Sequence, residues 1–201
     1  MRTKDARVHK LISEILPYFD NLTDTTILFN KLYDMGFLDA PASTKFHGAY
    51  EGGLFDHSYH VLEALVALTE DCRIEWERPE SPYIVGLFHD LCKCDSYVPI
   101  YECETLATCG DVELNKDVIK GYKYNDNMLL KGHGDKSVMR ASSLLTLTKE
   151  EIMCIRYHMG AFVPKEEWND YTRAVHKYST VLWTHTADML AAHVWEVEHD
   201  D

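Results

Sequence analysis

The sequence predicts an all-α protein, a helical bundle of five to seven helices with a small β-hairpin insertion near 95–131. Two observations predict this class. Apolar residues recur every three or four positions along most of the chain, which is the spacing of an amphipathic helix. The exception is one segment in which β-branched and aromatic residues gather in two short runs, as they do in paired strands.

The first half of the chain contains four predicted helices, separated by stretches rich in Pro, Ser and Gly. The second of them has Thr23 or Asp24 as its N-terminal cap and ends at Gly36. The fourth is short and carries the apolar run IVGLF, which predicts a buried helix. These four helices cover residues 5–20, 24–36, 54–65 and 83–93.

The second half begins with the hairpin, whose two strands are predicted in YVPIYECETL and VIKGYKYN. Its tyrosines could stack on a nucleobase or fill a small β layer. Helical periodicity then returns over about 135–147, 149–159 and 172–197. Thr148 and Glu151 have the spacing of a capping box at the start of the middle helix.

The length of 201 residues suits a single domain, with a core over about 40–195 and an N-terminal helical extension over 1–38. No apolar stretch is long enough to cross a bilayer, and the N-terminus has no apolar signal core, so we expect no membrane partner and a cytoplasmic location. The six scattered cysteines are then expected as reduced thiols.

The formal net charge of −13 constrains the binding partners. An acidic protein repels a polyanion at long range, so nucleic acid is disfavoured as a partner. A small anionic substrate is easier to accommodate, because bound metal ions can supply a local positive charge.

Histidines and aspartates at separated positions form the candidate functional set. Imidazole and carboxylate ligands together suit one or two divalent ions, with manganese, iron, cobalt, nickel, zinc or magnesium (Mn, Fe, Co, Ni, Zn or Mg) as candidates. An aspartate that follows the apolar run IVGLF would be costly to bury without a cation partner. The candidate metal ligands are His57, His89, Asp90, His133, His158 and Asp188.

The order H…HD…H…H…D, with HDLCK in the middle, resembles the HD-domain superfamily of metal-dependent phosphohydrolases over about residues 40–195. FHGAYEGGLFDHSYHV is similar to the opening of HD domains in bacterial 3′→5′ exoribonucleases and in small phage or bacterial HD hydrolases. GHGDKSV, IRYHMGAF and LWTHTADML look like the small-hydrolase group.

The resemblance implies how the ligand set would be divided. It implies a first ion on His57, His89, Asp90 and Asp188, and a second on His133 and His158 with Asp90 bridging. The implied reaction is attack on phosphorus by a metal-activated hydroxide. Members of this superfamily are often dimers, so a homodimer is an open expectation.

Further residues are predicted to act on the substrate. Asp90 and Lys93 are the predicted catalytic residues, because Lys93 lies within one helical turn of Asp90 and could meet a phosphoryl oxygen. Five others are candidate substrate contacts, although each could equally be an ordinary solvated or structural side chain. They are His47, His60, Lys136, Arg156 and His185.

The leading hypothesis is a metal-dependent phosphohydrolase, or phosphodiesterase, that acts on a nucleotide or nucleotide-like small molecule. A second hypothesis is a 3′→5′ exonuclease on single-stranded nucleic acid, which the acidity of the chain opposes. A third is a di-iron oxygenase that uses the same cluster, and a fourth is a non-catalytic module that binds a nucleotide. The substrate and the native metal are left open by the sequence.

Overall fold

A computed structural model of the chain describes residues 3–105 and 112–196, with side chains described outside 103–117. The described residues form a helical bundle with one antiparallel hairpin, so the predicted fold class is confirmed. The helices are α1 (Lys4–Lys10), α2 (Thr25–Asp34), α3 (Gly53–Cys72), α4 (Ser81–Phe88), α5 (Gly134–Ser142), α6 (Lys149–Tyr157), α7 (Trp168–Lys177) and α8 (Thr180–Leu190). The strands are β1 (Tyr97–Thr105) and β2 (Val112–Tyr124).

The described part of the chain has eight α-helices rather than five to seven, because the segment predicted as one helix over 172–197 contains a break. Tyr178 adopts extended backbone angles, φ −131° and ψ 95°, between α7 and α8. Beyond α8 the helical path continues as a π-helical turn, Ala191–Trp195. Periodicity alone did not reveal the break, since both helices direct apolar residues toward the same core.

Two helix starts follow local signals in the sequence. The Asp24 side chain accepts hydrogen bonds from the amides of Thr26 and Ile27 and so caps α2. The predicted capping box is present at α6, where Thr148 and Glu151 satisfy each other's backbone amides. Capping satisfies amides that have no partner within the helix, so these starts can be predicted from short sequence patterns.

The long helix α3 is the centre of the bundle and packs against α4 and α8, while α6 packs on α4 and α8. The crossing of α3 and α4 is close because α4 has a glycine there. A Cβ atom at Gly86 would lie 2.5 Å from the Cα atom of Leu62. This approach brings the ring of His57 on α3 to 5.3 Å, centroid to centroid, from the ring of His89.

The hairpin is joined to the segment that follows α4 and contacts it. The 3-10 turn Leu91–Asp95 leads directly into β1, and the amide of Asn125 after β2 donates to the carbonyl of Ser96. At the base of the hairpin Tyr97 is paired with Tyr124, and the register shifts on both sides of Tyr101. The base of the hairpin therefore lies beside the His89–Asp90 pair.

None of the helices within residues 3–105 and 112–196 combines the length and the apolar character needed to cross a membrane.

Candidate metal centre

The structure brings all six predicted ligands together around Asp90. Each comes from a helix or from the residue next to one, so the bundle holds their backbones. His57 lies in α3 and Asp188 in α8; His89 and Asp90 directly follow α4; His133 directly precedes α5; and His158 directly follows α6.

The two carboxylate oxygens of Asp90 face two different pairs of histidines. Oδ2 lies 3.7 Å from Nε2 of His57 and 3.5 Å from Nε2 of His89. Oδ1 lies 3.2 Å from Nε2 of His133 and 3.5 Å from Nε2 of His158. A carboxylate placed in this way can be shared between two neighbouring cations.

Several of these atoms are suited to a cation and have no other evident partner. His57, His89 and Asp188 each offer a ligand atom within 4.8 Å of the others, and so do His89, Asp90 and His158. Nε2 of His57 lies 3.2 Å from Oδ1 of Asp188, but this contact lacks hydrogen-bond geometry. The buried Nε2 atoms of His57 and His89 thus have no hydrogen-bond partner among the described residues. A buried polar atom without a partner is costly, and a metal ion at this point would remove that cost.

Each of the four histidines has its other ring nitrogen beside a protein atom, with the ring turned so that Nε2 points toward Asp90. Nδ1 of His89 lies 2.9 Å from the carbonyl of Gly86, and Nδ1 of His158 lies 2.7 Å from the carbonyl of Ile155. The other two contacts join Nδ1 of His133 to the Cys92 thiol at 3.1 Å and Nδ1 of His57 to the Glu196 carboxylate at 3.1 Å. Such contacts orient the histidines that bind metals in proteins.

The charges of the cluster favour ionised carboxylates. Burial alone would raise the pKa of Asp90, but the Lys93 ammonium and the surrounding histidines lower it well below its usual value. For Asp188, too, burial is outweighed by the neighbouring histidines, and its pKa is lowered. Burial opposes a charged His57 ring, yet the carboxylates of Asp188 and Glu196 raise its pKa to about 9. The centre thus concentrates anionic oxygens in a buried place, which favours any cation that can replace a proton.

The predicted catalytic pair is in direct contact. Nζ of Lys93 lies 2.6 Å from Oδ2 of Asp90, three residues earlier in the chain. Burial would lower the pKa of Lys93, but the Asp90 carboxylate raises it, so this ammonium stays charged. The contact confirms the predicted proximity of Lys93 to Asp90, while its role toward a substrate stays a prediction.

A cavity of about 590 Å³ opens onto the cluster. Asp90, Asp188 and His133 are at its polar end together with Lys93, which is the one lysine or arginine among its described lining residues. Phe46, Tyr97, Tyr124 and Phe162 also line it. The cavity has the size of an ordinary small-molecule site and combines an ionic end with aromatic walls.

Two of the five predicted substrate contacts line this cavity. They are His47 and His185. His47 lies in the loop before α3, where Gly48 and Gly53 approach so closely that a Cβ atom at Gly53 would be 2.0 Å from the Gly48 carbonyl oxygen. Nδ1 of His185 lies 2.8 Å from the carbonyl oxygen of His158.

The other three lie elsewhere, with their polar ends beside carboxylates. His60 Nδ1 lies 2.9 Å from Oε1 of Glu196. Lys136 is buried, with Nζ 2.5 Å from Oδ1 of Asp95. Arg156 pairs with Asp135 and Glu167 at 2.6 and 2.9 Å. None of the three is among the described lining residues of the cavity, so a substrate contact for them stays an untested prediction.

Sequence reasoning missed Glu196 and the part played by Cys92. Glu196 lies 139 positions after His57, in a segment with no motif that marks it. The sequence marks Cys92 only as half of a CxC pair, whereas in the structure its buried thiol is beside His133, and burial raises its pKa to about 12. The proximity of Cys92 to Asp90 in HDLCK is the one local signal that points to the cluster.

Comparisons with protein-family models, with curated proteins and with solved structures found no match to this chain. The class of this protein therefore rests on its fold and its site alone. The chain is a helical protein with a buried His/Asp cluster that could hold a divalent metal ion, an arrangement compatible with a metalloenzyme.

Proposed function

We propose that this chain is an HD-type, metal-dependent phosphohydrolase that cleaves a phosphoester of a nucleotide or nucleotide-like small molecule. The observation that carries the proposal is the position of Asp90, whose two oxygens face two separate histidine pairs at the end of a cavity. The first cation would be held by His57, His89, Asp90 and Asp188. The second would be held by His133, His158 and the same Asp90.

Phosphoester hydrolysis fits this set of donors better than chemistry on a neutral substrate. One or two divalent ions, when bound, would supply Lewis acidity and activate a water molecule for attack on phosphorus. Lys93 adds a charged donor at the same end of the cavity. In an otherwise acidic chain, this end would attract a phosphoryl group.

The roles of the protein side chains follow from their positions. Lys93 is held by Asp90 at 2.6 Å and would donate a hydrogen bond to a phosphoryl oxygen, which stabilises the negative charge that grows during displacement. His185 and His47 line the cavity and would contact the substrate next to that group. Asp90 would hold both histidine pairs and the Lys93 ammonium in their positions around the site.

The rest of the cavity supports a substrate with a planar, apolar part. Phe46, Phe162, Tyr97 and Tyr124 could stack on a base or a similar ring. Because Lys93 is the one described cation in the lining, substrates with few phosphoryl groups fit better than long polyphosphates. The net charge of −13 likewise disfavours a nucleic-acid strand.

The direct test is phosphate release by the Mn²⁺-loaded chain from nucleoside mono-, di- and triphosphates and cyclic dinucleotides, with Asp90→Asn as the decisive variant. Asparagine has nearly the same size but cannot offer two anionic oxygens. We expect the variant to lose about 1000-fold in rate and to bind less metal, because both histidine pairs lose their shared carboxylate.

His176→Ala is the matched control, since His176 is an exposed histidine on α7 and belongs to none of the ligand groups. It should keep the wild-type rate and metal content. Absence of any turnover across the panel by a chain shown to carry metal would overturn the proposal. Degradation of a labelled single-stranded oligonucleotide, with the small nucleotides untouched, would favour an exonuclease instead.

A further inference from the structure

The carboxylate of Glu196 lies behind His57, on the side of the ring opposite to Asp90 and Asp188. Its Oε1 is 3.1 Å from Nδ1 of His57 and 2.9 Å from Nδ1 of His60. The Glu196 side chain is only 9% exposed, and His57 is 1% exposed. One buried carboxylate thus contacts two histidines that are one turn apart on α3.

His57 differs from its neighbours in the charge of this contact. The Nδ1 atoms of His89 and His158 meet neutral backbone carbonyls, and that of His133 meets a thiol. Only His57, of these four rings, has a carboxylate at Nδ1. A carboxylate accepts a stronger hydrogen bond than a carbonyl does, and it makes the opposite ring nitrogen a better donor of electrons to a cation.

This contact also determines where the ring proton lies. When Nδ1–H donates to Glu196, Nε2 of the neutral ring carries a free lone pair. That atom is buried, has no hydrogen-bond partner among the described residues, and lies 3.2 Å from Asp188 and 3.7 Å from Asp90. The lone pair therefore points to the place where a cation would be shared with both carboxylates.

The backbone of the last described segment brings Glu196 to the side of His57 that faces away from Asp188. Asp188 and Glu196 lie eight positions apart on one continuous helical path, which passes from α8 into the π-helical turn Ala191–Trp195. On an uninterrupted α-helix, the later residue would be rotated about 80° from the earlier one. The wider turn, closed by the Glu196 amide donating to the Ala191 carbonyl, reduces this rotation. The two carboxylates can then hold the His57 ring from opposite edges.

We propose that Glu196 is a positioning residue that holds His57 in the Nδ1–H tautomer, with His60 as a second anchor, and so raises the affinity of the centre for its divalent cation. The proposal rests on the proposed function, since it assumes that His57 binds that cation. It also assigns His60 to Glu196 rather than to the substrate.

The test is the Mn²⁺ affinity of the metal-free full chain, measured by titration calorimetry without substrate. Glu196→Gln keeps the size and a neutral acceptor but removes the charge, whereas Glu196→Ala removes the contact. We expect Glu196→Gln to weaken Mn²⁺ binding about 10-fold and Glu196→Ala about 100-fold. The thermal unfolding midpoint of the metal-free variants is measured beside the affinity, because a role in folding alone would lower this midpoint and leave the Mn²⁺ affinity unchanged.

Glu166→Gln is the matched control, since it removes the same charge from an exposed position on the turn before α7. It should bind Mn²⁺ like the wild type. Wild-type affinity in Glu196→Gln, or an equal loss in Glu166→Gln, would overturn the role of Glu196 while Asp188→Asn still reports on the metal centre. A wild-type chain that binds no divalent ion would overturn the metal centre and this proposal together.

Discussion

The two halves of the cluster around Asp90 are built differently. The inner half, His57, His89 and Asp188, comes from three helices packed at the centre of the bundle, and its histidines are fully buried. The outer half, His133 and His158, comes from the ends of α5 and α6; His158 is as buried as the inner histidines, but the side chain of His133 is 35% exposed. The inner half also has a carboxylate of its own, whereas the outer half depends on Asp90 alone.

This difference has a consequence for the order of metal binding. A rigid site with two carboxylates loses less entropy and gains more electrostatic attraction when a divalent ion binds. We therefore expect the inner half to bind its ion more tightly than the outer half. The outer half, in which His133 is partly exposed, would fill later and release its ion first.

Among substitutions that distinguish the two halves, the largest expected effect comes from removing a ligand that belongs to the inner half alone. Asp188→Asn should lower phosphate release by about 100-fold or more and remove the tightly held ion, because the inner half then has only the shared carboxylate. His133→Ala should remove at most the weakly held ion and lower the rate by about 10-fold. Bound metal per chain after dialysis and the rate of phosphate release are the measurements.

The exposed His176→Ala variant again supplies the reference for substitutions outside the cluster. Equal metal loss in the two ligand variants would remove the distinction between the halves. A greater loss in His133→Ala would reverse it.

A smaller effect, on the free energy of unfolding, is expected from a substitution at the crossing of α3 and α4, which supports the inner half. Gly86→Ala should lower the free energy of unfolding by about 1–3 kcal/mol, because the new Cβ would overlap the α3 backbone at Leu62. Urea denaturation of the metal-free chain measures this change. The control is Gly121→Ala in β2, where a Cβ would meet nothing within 4 Å. If the two variants were similarly stable, the close packing of α3 and α4 at Gly86 would not be what supports the inner half.

The smallest effect should come from Lys93, which contacts Asp90 without being a predicted ligand. Lys93→Met should lower kcat/KM for the phosphorylated substrate about 10-fold, or about 1.4 kcal/mol, and leave the metal content unchanged, because the lost hydrogen bond stabilises the transition state. The exposed Lys131→Met serves as the control in the same steady-state assay. An unchanged kcat/KM would mean that Lys93 only neutralises Asp90, and a loss of metal would mean that it supports metal binding in both halves.

Much of the fold could be predicted because its signals are local. The cap on α2 by Asp24, the capping box of Thr148 and Glu151, and the hairpin are all encoded within a few neighbouring residues, and the structure contains each of them. The break at Tyr178 could not be predicted in this way, since α7 and α8 continue one apolar pattern and only their packing separates them.

The candidate site could be predicted in part. The six residues proposed as ligands converge as the resemblance implied, and Lys93 lies beside Asp90 as its spacing predicted. The partners of Lys136 and Arg156 could not be predicted, because a free cation and a cation paired with a carboxylate look the same in a sequence. The role of Glu196 could not be predicted either, because its partner His57 is 139 positions away in the sequence.

The sequence by itself determined which chemical groups this protein contains and which local segments become helices or strands, because propensity, capping and periodicity act over a few residues. Only the tertiary structure decided which polar groups meet. It placed Asp90 between two histidine pairs, Glu196 behind His57, and Lys136 and Arg156 against carboxylates. These pairings depend on the close packing of distant helices, and each buried charge is placed where a partner offsets its loss of water.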